Sequence, residues 1–361
     1  MDRTVTPIDV TPRQLGALLQ MHHNMTNAAA AQGKRSLALM VWGDGGLGKS
    51  RITERAAAKC GRRYLDFRAL IKDLPDLQGY QVITGMQEGV PCPMTAPADL
   101  PPSASNDPWL LVLEELPGAT RMMQSALYGL ILEGRLNGYT LPANTMIVAT
   151  GNLATSGGVT NAMPWPLRSR MRHVELVLCP DEMLEHANAA GWSPIVTGYH
   201  TMTAGKEWMS FDPKRPEPTY ACPRSWEAVS DTLLAGGIPS DLLTPILCGS
   251  LGYGIGQKFA AFVRLASTLA PTISQMRTNP SGCPIPNDSA AQWFLASTTA
   301  EQIAVQDAPW AFPFLARLPD ELCVFAVNAA YRRIPQLWRT PEFRTHFATN
   351  PRLAHLTTAL D

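Results

Sequence analysis

Eight consecutive residues, Gly43-Asp44-Gly45-Gly46-Leu47-Gly48-Lys49-Ser50, satisfy the pattern G-x-x-x-x-G-K-S/T without a gap. Such a segment works as a phosphate cradle only between the end of a buried strand and the start of a helix. Both flanks are present. Residues 36–42 form a short, nearly continuous apolar run, as expected of a strand covered on both faces. Over 50–59, Ile52, Ala56 and Ala57 recur at near-helical spacing with no internal Gly or Pro. Backbone N–H groups of a glycine-rich turn converge on phosphate oxygens, and the helix dipole adds partial positive charge. The expected phosphate-binding set is therefore Gly43, Asp44, Gly45, Gly46, Leu47, Gly48, Lys49, Ser50 and Arg51. Within it, Lys49 reaches the β- and γ-phosphates and the Ser50 hydroxyl sits on Mg²⁺.

A chain of 361 residues with 45% hydrophobic content can fill two domains, or one domain with a substantial extension. Charged residues make up 17%, and 30 Lys+Arg balance 30 Asp+Glu, so nothing in the net charge draws the chain toward nucleic acid or an anionic membrane. Seven scattered cysteines contain no C-x-x-C pair, which argues against a disulfide framework and a zinc site and fits reduced thiols in a cytoplasm. No apolar signal core follows Met1-Asp2-Arg3-Thr4 and no apolar run approaches eighteen residues, so the expectation is a soluble cytoplasmic protein with no membrane partner.

Residues 1–10 read as an extended lead-in, and Thr11-Pro12 opens a helix with Leu15, Leu18, Leu19 and His22 on one face. His22 and His23 are adjacent and point in different directions on a helix, which argues against metal ligation. A second strand is expected over 63–68. Prolines and glycines break all periodicity over 81–108, marking a long loop or insertion that is a candidate surface for a substrate or partner.

Next, Trp109-Leu110-Leu111-Val112-Leu113 runs into Glu114-Glu115. A buried parallel strand opens at its C-terminal end onto the ligand crevice. There Glu114 would hold the Mg²⁺ shell and Glu115 would orient or deprotonate the attacking water. A helix is expected over 119–133 and a small hairpin over 136–141. A further buried strand, 145–151, ends at Asn152, placed to hold a water or touch a γ-phosphate. The second half reads as helices near 180–190, 226–233, 242–248, 256–269, 290–299 and 322–333, with a polar connection over 206–223. Gly252-x-Gly254-x-Gly256 reads as a helix-connecting turn, because no strand precedes it.

The phosphate loop, the strand ending in Glu114-Glu115 and Thr150-Gly151-Asn152 together resemble the Walker A, Walker B and sensor-1 elements of an AAA+ ATPase. Glu115-Leu116-Pro117-Gly118-Ala119 and Gln124-Ser125-Ala126-Leu127-Tyr128 are similar to the MoxR branch. Leu167-Arg168-Ser169-Arg170-Met171-Arg172-His173-Val174 looks like its arginine-finger segment, and Cys222-Pro223-Arg224-Ser225-Trp226 resembles its sensor-2 helix. The resemblance spans about residues 12–350 and is most specific before residue 236.

It implies an α/β P-loop AAA+ core with a parallel five-stranded sheet over 1–178, an all-α lid over 179–236 and an α-helical C-terminal region over 237–361. It also implies ATP and Mg²⁺ as cofactors, with Ser50 and Glu114 as metal ligands. Glu115 is then the catalytic base, Asn152 the sensor, Arg170 the finger reaching a neighbour's nucleotide and Arg224 the lid residue sensing the γ-phosphate. The active form is a ring, usually a hexamer, that remodels a client protein, alongside a partner with a von Willebrand factor A domain. Arg168 and Arg172 compete with Arg170 for the finger, and any of them can instead pair with surface carboxylates. One departure matters: Glu114 stands where the family has Asp. The extra methylene strains an octahedral Mg²⁺ shell and points to slow turnover. Two other readings stay open, a nucleic-acid motor or loader and a nucleotide-gated scaffold with little hydrolysis.

Overall fold

The computed structural model describes residues 7–82, 94–95, 97–152, 161–212, 214–215, 217–269, 273–347 and 351. The chain forms two compact units, one up to Cys179 and one from Pro180. The middle of the 81–108 segment, read as a partner surface, lies outside the described residues.

In the first unit β1 (Ile8–Val10) leads to α1 (Pro12–Ala31), β2 (Ala38–Trp42), α2 (Lys49–Lys59), β3 (Arg63–Arg68), α3 (Leu74–Gln78) and β4 (Trp109–Glu114). These are followed by α4 (Arg121–Glu133), the hairpin β5 (Arg135–Leu136) and β6 (Tyr139–Thr140), β7 (Thr145–Gly151), α5 (Trp165–Arg168) and β8 (Met171–Leu176). The sheet order is β1-β8-β2-β7-β4-β3, every neighbouring pair parallel. The five-stranded parallel sheet expected above is present as β8-β2-β7-β4-β3. Ile8–Val10, read as an extended lead-in, adds a sixth strand by pairing with β8.

Parallel strands with helices on both faces bury every side chain, and β2 and β7 are buried throughout. On one face Leu39, Val41, Leu110, Val112 and Val148 pack with Leu15 and Leu19 of α1 and Ala57 of α2. On the other Met40, Leu111, Leu113 and Ile147 pack with Met123, Leu127 and Leu130 of α4. Helix α1 begins with a capping box: Gln14 N donates to Thr11 Oγ1 at 3.3 Å and Thr11 N to Gln14 Oε1 at 2.9 Å. As expected, the two histidines diverge. His22 is buried and donates from Nε2 to Ile147 O at 3.1 Å, whereas His23 Nδ1 accepts from Arg62 Nε at 2.8 Å. Burial pushes the His22 pKa down to about 4. No group of three metal-ligating residues occurs among the described residues.

The second unit is helical: α6 (Pro180–Ala189), α7 (Pro194–Met202), α8 (Pro223–Ala235), α9 (Leu243–Leu251), α10 (Tyr253–Leu269), α11 (Ile273–Thr278), α12 (Ser289–Gln302), α13 (Ala308–Leu315), α14 (Asp320–Arg333) and α15 (Pro341–Phe347). Tyr199, His200, Trp208, Trp226 and Phe259 build an aromatic core. Only Gly252, at φ 82°, serves as the turn read over 252–256, because α10 already starts at Tyr253. Gly256 lies inside that helix against α9, where a Cβ would stand 2.5 Å from Cys248 Cα. No described helix is long and apolar enough to cross a membrane. The described cysteines Cys60, Cys179, Cys222, Cys248, Cys283 and Cys323 are free.

Candidate functional site

The phosphate loop leaves the C-terminal end of β2, in the middle of the sheet, and turns directly into α2. Gly43 must be glycine: its φ is 144° and a Cβ there would stand 2.7 Å from Leu176 O of β8. Gly48 is the N-cap of α2 in the left-handed conformation and, having no side chain, offers no cap to the first-turn N–H groups. Ser50 and Arg51 are exposed on that first turn.

Lys49 folds across the loop. Its Nζ donates to Gly43 O at 2.6 Å, Asp44 O at 2.9 Å and Asn152 Oδ1 at 3.1 Å. The loop lysine and the polar residue after β7, 103 positions apart in the chain, thus share a hydrogen bond.

Glu114 ends β4 beside Arg68 of β3. Alternation along the strands puts it on the same sheet face as Tyr64 and Asp66, the face that α2 covers. Burial, then the nearby Glu114 and Asp66 carboxylates, push the Tyr64 phenol up to about 12. One Glu114 oxygen, Oε2, accepts from the Thr150 hydroxyl. The other, Oε1, is buried with no partner among the described residues. An orphaned buried carboxylate oxygen on the sheet face that α2 covers is what a divalent cation would satisfy, which fits Glu114 as one of its ligands.

Glu115 is exposed and sits at φ 54°, ψ 37°, a left-handed conformation rare outside glycine. Its N–H donates to Thr150 Oγ1 at 3.2 Å, and its carbonyl accepts from Gly118 N at 2.8 Å. Thr150 therefore touches both carboxylate residues. Sequence reading missed it, because a threonine inside a strand is ordinary composition and its partners lie 35 and 36 positions away.

The arginine segment runs from α5 into the start of β8, beside β2 in the same sheet. Arg168 lies over the Trp165 ring at 5.4 Å, Arg170 Nη1 reaches Ser169 Oγ at 3.3 Å, and Arg172 Nη1 reaches Leu37 O at 3.5 Å. Among the described residues none of the three meets a carboxylate, so the surface-pairing alternative finds no partner here. His173 connects this segment to the loop strand: Trp42 Nε1 donates to its Nδ1 at 3.0 Å, and its Nε2 donates to Arg168 O at 2.8 Å. Arg224 belongs to the second unit, exposed in the first turn of α8 behind Pro223.

No family model and no curated protein matches the chain. Among solved structures, a proline-to-glycine mutant of RuvB from Thermotoga maritima aligns over 70% of this chain and 76% of its own, at 12% identity and a TM-score of 0.33. An alanine-to-serine mutant of the same protein aligns over 68% and 69%, at 15% identity and a TM-score of 0.37. The structure described as the Thermotoga maritima RuvB Holliday junction branch migration motor aligns over 70% and 75%, at 13% identity and a TM-score of 0.31. With superpositions this loose, the fold rests on the chain's own strand order and on the loop between β2 and α2.

Proposed function

We propose that the chain is an AAA+ ATPase of the MoxR type, which binds ATP on residues 43–51 and hydrolyses it within a ring of identical subunits. The observation that supports this most is the convergence at Lys49: its ammonium bonds Asn152, while the strand between β7 and β3 delivers Glu114 and Glu115 to the same end of the sheet. ATP phosphates lie against the loop N–H groups and Lys49, with Ser50 and Glu114 holding Mg²⁺. A Mg²⁺ ion held there would supply positive charge against the β- and γ-phosphate oxygens. Glu115, exposed at the rim, takes the proton of the attacking water, and Asn152 orients it or contacts the γ-phosphate.

Among the described residues Arg170 meets no carboxylate, and it is the residue that a neighbouring subunit brings to the developing charge; an arginine supplied in trans makes hydrolysis depend on assembly. Arg224 reports the γ-phosphate from the helical lid, residues 179–236. The ring, six subunits by resemblance, remodels a client protein together with a partner bearing a von Willebrand factor A domain. The proposed site of action is the cytoplasm, the compartment that scattered cysteines with no C-x-x-C pair fit. Glu114 in the place of Asp makes turnover slow.

Phosphate release at ring-forming concentration tests this reading against the nucleotide-gated scaffold. Lys49→Ala should lose nucleotide binding, and Glu115→Gln should keep ATP bound while hydrolysis falls by about 100-fold or more, the loss typical of a removed general base. Unchanged hydrolysis in Glu115→Gln would refute the assigned role. DNA that stimulates hydrolysis at low salt would instead favour the nucleic-acid motor.

A further inference from the structure

We infer that Thr150 is a positioning residue that holds Glu114 and Glu115 in register with Asn152, an inference that rests on the ATPase reading above. The hydroxyl has one proton to give and lone pairs to receive. The proton goes to Glu114 Oε2, and Oγ1 receives the Glu115 N–H at 3.2 Å. Thr150 is fully buried, so no water competes for either bond. Glu114 Oε1 has no partner of its own among the described residues, and the backbone of Glu115 is left-handed. The two carboxylate residues therefore share an anchor that comes from the neighbouring strand.

The next residue removes the slack. Gly151 packs so closely on the turn after Glu115 that a Cβ would stand 2.5 Å from Pro117 Cδ and Cγ. The Pro117 carbonyl is itself held by Asn161 N at 2.7 Å and Gln124 Nε2 at 3.4 Å. One residue further, Asn152 Oδ1 accepts from Lys49. Thr150 lies on the β7 face shared with Val148 and Met146, and Asn152 follows directly after the strand ends at Gly151. When Lys49 leaves Asn152 for a phosphate oxygen, any shift at the end of β7 reaches the Glu114 carboxylate and the Glu115 backbone through one hydroxyl. Thr150 thereby couples occupancy of the phosphate loop to the placement of the metal ligand and the base.

The test compares Thr150→Val, which keeps the shape and loses the hydroxyl, with Thr150→Ser, which keeps the hydroxyl. The valine variant should lose about 10–100-fold in hydrolysis, the effect of deleting a partner that orients a metal ligand, and should need more Mg²⁺ for its half-maximal rate. Its affinity for ATP in EDTA should stay within about twofold of the parent, since no phosphate contact is removed. The serine variant should recover to within about threefold of the parent rate. Thr150→Ala, which cannot overpack, gives the same comparison should valine disturb folding.

Wild-type rate and Mg²⁺ requirement in the valine variant, or equal impairment of serine and valine, overturns the positioning role alone. A parent protein that binds ATP without releasing phosphate refutes the hydrolysis reading. Thr150 is then judged by how Mg²⁺ strengthens ATP binding, and an unchanged Mg²⁺ effect in the valine variant overturns it. A parent that binds no ATP overturns both.

Discussion

Gly151→Ala adds a single methyl group at the point where the end of β7 meets the turn after Glu115. Its Cβ would stand 2.5 Å from two ring carbons of Pro117 and 2.9 Å from Met40 Cε. Carbon atoms rest about 3.5–4.0 Å apart, so the contact must open by about 1 Å. Met40 can swing its terminal methyl away; the proline ring cannot, and its carbonyl is tied to Asn161 and Gln124. Overpacking at such a site costs about 1–3 kcal/mol, offset by the roughly 0.5–1 kcal/mol that alanine gains over glycine in a strand. The net loss of up to about 2.5 kcal/mol corresponds to a melting temperature lower by up to about 10 °C for a unit of this size. The turn that yields also carries Glu115, the proposed base, and a misplacement of about 1 Å at a reacting group can cost about 100-fold in rate. Circular dichroism melts and phosphate release on the same preparation read both effects. A variant that melts within about 1 °C of the parent and hydrolyses at the parent rate would show that the Gly151–Pro117 contact is not tight.

Three other perturbations read separate parts of the molecule. Arg170→Ala and Lys49→Ala proteins, each inactive alone, should regain part of the ATPase activity when mixed, because some junctions then pair an intact loop with an intact arginine; no recovery at any ratio excludes action across an interface. In the helical unit, Gly256→Ala should destabilise by about 1–3 kcal/mol against the Cys248 backbone, whereas Gly249→Ala, with nothing within 4 Å of its Cβ, should stabilise by about 0.5–1 kcal/mol; chemical denaturation separates the signs. His22 is neutral in the fold with its pKa held at about 4, while the unfolded ring titrates near 6.5. Below pH 6.5 the unfolded state therefore binds the extra proton, and stability should fall by up to about 3 kcal/mol between pH 6.5 and 4, with no His22 contribution above that range. His22→Gln should flatten this part of the profile, and an unaltered slope would mean that other groups carry it.

The features that could be read from residue types alone are those in which a short segment carries its own constraint. The glycine pattern of 43–48, the apolar runs of β2, β4 and β7, and the carboxylates after Leu113 needed no knowledge of the fold. Ile8–Val10 escaped because three residues with two exposed side chains leave no periodicity; the strand exists because β8 presents a free edge. Helix α7 escaped because Thr197, Gly198, Tyr199 and His200 are weak helix formers, and it is held by burial in the aromatic core. Gly254 and Gly256 read as a turn because local propensity says so; close packing of α10 on α9 overrides it. The role of Thr150 needed the strand order, since only the adjacency of β4 and β7 brings its hydroxyl to Glu114.

The sheet order also sets a timetable for biosynthesis. Strand β2, from which the loop springs, lies between β7 and β8, and Ile8 pairs with Val174. A ribosome must therefore deliver residue 176 before residues 8–10 or the loop strand has its lasting neighbours, and pairings so distant along the chain form slowly. Nascent chains released short of that point should lack a shaped phosphate cradle even though every residue of it has already been made.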